Sequence, residues 1–198
     1  WISCLLAVCL LAGMFPAAAF AAGSNVVTYP VTGGNIYFNK STGAVTDCDE
    51  SVTEAVIPEE IEGVAVTEIG KDVFFGCGSL ESVVIPEGVT KIGQYAFALC
   101  SSLRDIEIPE AMTEIEKYAF FRCFSLKSIE IPEGVTEIGD YAFSGCSSLK
   151  TAGPTGSGCD YEFGWTEKIP DHAFSCSGVK SIRLPDGVTE IGESAFDG

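Results

Sequence analysis

Residues 80–102 read LESVVIPEGVTKIGQYAFALCSS, and this stretch recurs along the chain with a period of 23 residues. Four columns keep this register: a leucine that opens the unit, an isoleucine, a phenylalanine and a cysteine. Their members are Leu80, Leu103, Leu126 and Leu149; Ile69, Ile92, Ile115 and Ile138; Phe74, Phe97, Phe120 and Phe143; and Cys77, Cys100, Cys123 and Cys146. Self-similarity at one fixed period predicts a repeat architecture in which each unit is one coil.

Each unit combines a strand signal with a turn signal. Residues 83–85 alternate as in a short strand, and Pro86, which has no N–H to donate, ends it. Ile92 and the pair 96–97 then follow at helix-like spacing, which predicts a short helical or 3₁₀ turn. Because no unit buries its apolar face alone, the units must stack. We therefore expect an α/β-type leucine-rich repeat solenoid with a parallel β-sheet on its concave side and the short turns opposite.

Six units make up residues 51–198, opening at Val52, Leu80, Leu103, Leu126, Leu149 and Val179. An insertion at residues 153–168 lengthens the fifth unit before the pattern resumes at residue 169. Tyr161, Phe163 and Trp165 alternate within it, as aromatic residues of a binding surface do. The alternative is that these rings pack over the widened coil.

The first 22 residues are uncharged and largely apolar, which predicts a signal peptide. The small-x-small pattern at residues 19–21 places cleavage near Ala21 or Ala22. A membrane span and lipidation at Cys9 are the weaker alternatives, the first because the apolar run is short. The mature protein is therefore expected to be secreted or held at the cell surface, without membrane insertion once the signal peptide is removed.

Residues 23–50 differ in composition from the repeats and are predicted to form a β-hairpin from residues 35–38 and 44–46. A solenoid needs its first layer covered, so we interpret this segment as an N-terminal cap. At the other end the pattern stops within a unit, so we expect the sequence to be a fragment of a longer protein that holds the remaining repeats and any anchor or enzyme domain.

The repeat pattern L-x-x-I-x-I-P-x-G-V-T-x-I-G-x-x-A-F-x-x-C closely resembles the BspA-like leucine-rich repeat family of bacterial surface antigens. The resemblance covers residues 51–198 and rests on the proline after the strand and on the A-F-x-x-C ending. It implies a cell-surface or secreted protein that adheres to host or bacterial partners. The resemblance supplies no catalytic residues.

The composition argues against several function classes. A net charge of -17 disfavours nucleic acid and anionic lipid as partners. His172, the one histidine, occupies the column of Tyr95, Tyr118 and Tyr141, so the repeat explains it without catalysis. The recurrent Glu87, Glu110 and Glu133 are interpreted as solvated turn charges. We expect neither an enzyme nor a cofactor.

The cysteine column is predicted to be buried and reduced, because parallel side chains do not converge as a disulfide or a zinc site requires. Cys48, Cys159 and Cys176 lie outside the column. A bridge between Cys159 and Cys176 would fix the insertion, although sequence alone does not give disulfide connectivity. No metal site is expected.

Outward-facing positions of the predicted concave sheet vary while the core positions do not. Glu54 and the acidic strip of Asp105, Glu107 and Glu130 lie among them. Because stacked like charges repel, this strip is a candidate contact surface for a protein or glycan ligand. The alternative is a solvent-exposed face on which Arg104 and Lys127 reduce the repulsion among the carboxylates.

The function predicted from these features is a monomeric surface adhesin or ligand-binding module, with a partner on a host or neighbouring bacterial surface. Two rivals remain open: the substrate-targeting region of a larger secreted enzyme, and a structural spacer on the cell wall. The spacer predicts no selective binding by residues 23–198.

Overall fold

The structure, a computed structural model, describes residues 25–132, 134–152, 168–179 and 188–198. These residues form short strands joined by turns, and no helix able to cross a membrane occurs among them. The strands are β1 Val26–Val31, β2 Gly34–Asn39, β3 Ala44–Cys48, β4 Glu54–Val56, β5 Glu60–Ile61, β6 Val64–Ala65, β7 Glu68–Ile69, β8 Ser82–Val84, β9 Lys91–Ile92, β10 Asp105–Glu107, β11 Glu114–Ile115, β12 Ser128–Ile129, β13 Glu137–Ile138, β14 Thr151–Ala152, β15 Lys168–Ile169 and β16 Glu190–Ile191.

The predicted strand of the repeat is present, beginning one residue earlier than expected. β4, β8 and β10 form a parallel ladder in which Ala55, Val83 and Ile106 lie side by side. All three of these side chains are buried, and the residues flanking them point away from the core. We call this sheet the first ladder.

A second parallel ladder runs along the coils and was not predicted. It joins β3, β7, β9, β11 and β13, so that the column of Ile69, Ile92, Ile115 and Ile138 lies in register. The assignment of Ile92 to a helical turn is therefore wrong. β7, β9, β11 and β13 have two residues each, one outward and one buried, and a sequence pattern that short does not distinguish a strand from a helix.

After the strands of the first and second ladders, the third segment of a coil is a series of turns. The predicted helical or 3₁₀ turn is not present among the described residues. The N–H groups of Asp72, Phe74 and Gly76 donate to carbonyls of the next coil at 2.8–3.0 Å. The N–H of Phe75 between them donates instead to Asp72 of its own coil, at 3.1 Å. Because alternate N–H groups leave the segment, the i to i−4 bonds of a helix cannot form.

The core is a column of stacked phenylalanine rings. Phe74, Phe97, Phe120, Phe143 and Phe174 follow one another with ring centroids 5.1–5.4 Å apart and planes within 12° of parallel. These side chains are almost completely buried. The stacking distance is close to the ~4.8 Å between hydrogen-bonded strands, so the backbone ladders set the ring spacing.

The cysteine column is buried beside the rings, as predicted. The thiols of Cys100, Cys123 and Cys146 each donate to a phenylalanine carbonyl of the preceding coil, at 3.0–3.1 Å. Burial raises the pKa of Cys100 and of Cys123, because a thiolate is poorly solvated there.

Residues 26–48 form a three-stranded antiparallel meander of β1, β2 and β3. β2 and β3 are the predicted hairpin, and β1 is an additional strand. β3 pairs in parallel with β7, so the meander continues the second ladder beyond the first coil.

Asp49, just after β3, accepts hydrogen bonds from the Asn35 backbone and side chain at 2.9 and 2.8 Å and from the Tyr37 hydroxyl at 2.9 Å. Hydrogen bonding by Asn35 and Tyr37 lowers the pKa of Asp49.

We predict that Phe120→Ala lowers the free energy of unfolding by about 3–5 kcal/mol, because it removes a ring stacked on both sides and leaves a cavity. Urea unfolding measures this. The control is Phe124→Ala, which truncates a ring that is 45% exposed and should cost about 1 kcal/mol or less. Equal losses for the two variants would show that the ring column is not the core.

We predict that Asp49→Asn lowers stability at pH 7 by about 1 kcal/mol, because charge-assisted hydrogen bonds become neutral ones. The lowered pKa of Asp49 means that its contribution is present above pH ~4 and is lost as the pH falls through the folded-state value. Thermal unfolding from pH 7 to 2.5 should therefore show the two proteins converging in acid. Glu50→Gln, at the exposed neighbouring residue, is the control and should follow the original protein throughout.

Candidate ligand-binding groove

The outward face of the first ladder carries two rows of side chains. Parallel register places Glu54, Ser82 and Asp105 in one row. Val56, Val84 and Glu107 make the other, and Val56 is 64% exposed. The rows run across the strands, so each step along a row moves to the next coil.

An open groove of about 800 Å³ lies along this face. Asp105, Glu107 and Glu130 of the acidic strip all line it, together with Ser128. Glu54 lies on the same face but is not among the lining residues. The structure thus places all three residues of the acidic strip around one cavity, and Glu54 outside its lining.

Two of the three turn glutamates that the sequence interpretation treated as solvated charges, Glu87 and Glu110, also line the groove, whereas Glu133 lies outside the described residues. Glu59, at the equivalent position of the first unit, lines it as well. Glu59, Glu87 and Glu110 follow Pro58, Pro86 and Pro109 at the ends of their strands. The signal for them was the repeated Pro-Glu dipeptide. What the sequence did not show is that the turn bends this carboxylate toward the same groove as the strand residues.

The groove is strongly negative. Six of its described lining residues are Asp or Glu, and no Lys or Arg is found among them. Arg104 was expected to neutralise the charge of the acidic strip. Its Nη1 instead lies 3.7 Å from Oε2 of Glu81, and both side chains are more than half exposed. The interpretation of a face neutralised by its own cations is therefore not supported at Arg104.

The second ladder shows the opposite arrangement. Lys91 lies between Glu114 and Glu116, with its Nζ 3.1 and 2.5 Å from their carboxylate oxygens. The hydrogen bond that Lys91 donates to Glu116, with a smaller contribution from Glu114, raises the pKa of Lys91. Glu114 and Glu116 thus have a cation of the fold as their partner.

Most of the remaining predicted positions lie outside the described residues. Tyr161, Phe163, Trp165 and Cys159 lie outside the described residues, so the bridge from Cys159 to Cys176 stays a prediction; Cys176 itself is exposed. Lys168, placed at the end of the insertion, instead begins β15. No group of three or more His, Cys, Asp or Glu arranged to hold a metal ion occurs in the described part of the chain.

His172 lies where the repeat predicts it. Its ring stacks on Tyr141 with centroids 4.4 Å apart and extends a column in which Tyr95, Tyr118 and Tyr141 are 4.7 Å apart. The structural interpretation of the histidine is supported, since a ring of this column packs on its neighbours.

Comparison with solved structures identifies similar bacterial proteins. A leucine-rich cell surface protein from Faecalibacterium prausnitzii is 29% identical, with a TM-score of 0.62, over 86% of this chain and 52% of that one. A leucine-rich repeat protein from Bacteroides capillosus is 32% identical, with a TM-score of 0.54, over 65% of this chain and 99% of that one. The leucine-rich repeat protein of T. pallidum is 25% identical, with a TM-score of 0.53, over 83% and 81% of the two chains. This chain spans about half the length of the F. prausnitzii protein.

No curated protein matches the chain. The family model of the BspA type leucine-rich repeat region matches residues 67–198 in six copies. That range is two thirds of the sequence, and it contains the four columns from which the repeat was recognised. The chain therefore belongs to the BspA type leucine-rich repeat family.

Proposed function

We propose that the protein is exported to the bacterial surface, where it acts as an adhesin that binds a basic segment of another protein in the acidic groove. The observation that carries this proposal is the set of six carboxylates around the groove with no Lys or Arg among its described lining residues. Stacked carboxylates on adjacent strands repel one another, and a bound cation relieves that repulsion. The groove therefore gains more from a cationic ligand than from a neutral one.

A polypeptide suits the groove better than a compact ion. Val84, Ile85 and Ile108 lie between the acidic positions and give the groove an apolar component. Lysine and arginine combine an aliphatic stem with a charged end, so one side chain can contact both kinds of surface. A peptide crossing the strands meets a new coil every ~4.8 Å. A glycan ligand would use the same face but would gain little from so many carboxylates.

The proposed location rests on residues 1–22, predicted to be a signal peptide, and on the surface location that the F. prausnitzii protein's description states. The role is one of binding and not of catalysis. Targeting a linked enzyme to its substrate would use the same groove. A spacer would not, so selective binding separates the spacer from the other two functions.

We predict that the triple variant Asp105→Asn, Glu107→Gln, Glu130→Gln binds a fluorescein-labelled peptide rich in lysine and arginine about tenfold more weakly than the original protein. Three partly exposed ion pairs at up to about 1 kcal/mol each account for a loss of this size. Fluorescence anisotropy at low ionic strength measures the dissociation constant, and added salt should weaken the binding.

The matched control is the triple variant Glu50→Gln, Glu60→Gln, Glu137→Gln, which changes net charge equally at exposed positions outside the groove. It should bind almost as the original protein does. Equal weakening by both variants would mean that total charge and not the groove attracts the peptide. If the original protein does not bind the peptide but does bind a neutral glycan, the basic-ligand proposal is wrong; if it binds neither, the spacer is favoured.

A further inference from the structure

The first member of the cysteine column differs from the others in its partner. Cys100, Cys123 and Cys146 each donate to the carbonyl of a phenylalanine one coil earlier. Cys77 belongs to the first coil of the column, and beneath it lies the N-terminal meander. Its sulfur is 3.3 Å from the sulfur of Cys48, and both residues are buried.

Cys48 has no counterpart in the repeat, because it is the last residue of β3 in the meander. Its position is fixed by main-chain pairing on both sides. Cys48 lies opposite Ile36 of β2, and β3 pairs with β7 through Ala44 and Val45. The N–H of Gly70 also donates to the carbonyl of Val45, at 2.8 Å. The two thiols are therefore brought together by the fold and not by flexible side chains on an open surface.

We propose that Cys48 and Cys77 are joined by a disulfide in the mature protein, which covalently ties the N-terminal meander to the first coil. A disulfide has an S–S distance of ~2.05 Å, so the sulfurs need to approach by about 1.3 Å. Side-chain rotation supplies a shift of this size while the strands keep their pairing. In the cell the bond also requires the proposed export, since disulfides persist in oxidising compartments.

The two sulfurs are close enough to share a hydrogen bond, in which either thiol can be the donor. In the folded protein this contact lowers the pKa of Cys77 and, together with burial, raises the pKa of Cys48. Because the folded pair is buried, the reaction takes place before the meander closes over the first coil.

The oxidant required is a disulfide, either oxidised glutathione or an oxidised dithiol protein. One of the two cysteines loses its proton and attacks a sulfur of the oxidant, forming a mixed disulfide and releasing the other sulfur as a thiolate that takes up a proton. The second cysteine then loses its proton and attacks the protein sulfur of the mixed disulfide, which forms the new S–S bond and expels the remaining sulfur of the oxidant as a thiolate that takes up a proton. Two protein S–H bonds become one S–S bond, and the oxidant gains two electrons and two protons.

The bond would close a loop between residues 29 positions apart in sequence. Such a loop restricts the unfolded chain and keeps the meander on the first coil. The meander pairs the edge of the second ladder, and an unpaired edge of this kind invites association with other chains. The disulfide therefore protects the end of the solenoid.

The test uses the purified full chain refolded with oxidised and reduced glutathione, then treated with iodoacetamide in denaturant. We expect a mass about 2 Da below that of the reduced chain before alkylation, protection of Cys48 and Cys77 from iodoacetamide, and a tryptic fragment pair joined through these residues. Adding reductant should restore alkylation at both. Oxidised protein should unfold ~5–10 °C higher than reduced protein.

Two variants complete the design. Cys48→Ser should remove the difference in unfolding temperature between oxidising and reducing conditions, whereas Cys100→Ala, in the same column, should retain it. Alkylation of both Cys48 and Cys77 in the oxidised original protein would overturn the proposal, as would joining of either residue to a different cysteine. Because the assay contains no ligand, its failure is distinguishable from failure of the proposed binding function.

Discussion

Hydrogen bonding between successive coils is the interaction on which the rest of the molecule depends. Each coil donates to or accepts from its neighbour in all three of its segments. Arg104 N–H donates to Glu81 in the first ladder region at 2.9 Å, Gly93 N–H to Ile69 in the second at 2.8 Å, and Phe74 N–H to Ala96 in the turns at 2.8 Å. These bonds hold equivalent residues of successive units close to one strand spacing apart. A side chain suited to one coil is then suited to the next, and stacked columns of one residue type follow.

The turn segment shows what this constraint requires of the backbone. Asp72, Tyr95, Tyr118, Tyr141 and His172 have φ between 55° and 61°, although none is glycine. This left-handed conformation costs about 1–2 kcal/mol for an ordinary residue. It persists because it turns alternate N–H groups toward the next coil, and in the aromatic members because the rings then stack at 4.4–4.7 Å. The hydrogen bonds and ring contacts that this conformation makes with the neighbouring coil offset the backbone strain, and they recur from coil to coil.

The sequence was sufficient for features that recur with the period and insufficient for those that depend on the shape of one coil. The columns, their burial and the first ladder follow from the 23-residue repeat. The second ladder does not, because Lys91 and Ile92 form a strand too short to leave a periodic signal. The turn glutamates Glu59, Glu87 and Glu110 were visible in the sequence, but their position on the groove was not. Cys48 lies outside the repeat, so only the three-dimensional pairing of the meander brings it to Cys77.

The two ladders explain why ligand binding is assigned to one side of the solenoid. On the second ladder and the turns beside it, charges of the fold neutralise one another across coils: Lys91 contacts Glu114 and Glu116, and Lys117 contacts Asp140 at 2.7 Å. Such pairs contribute modestly to stability, and they leave little unbalanced charge to attract a charged partner. The groove on the first ladder gathers carboxylates from successive coils around apolar residues instead. We propose that the repulsion among these carboxylates favours a basic partner, because binding such a partner reduces it.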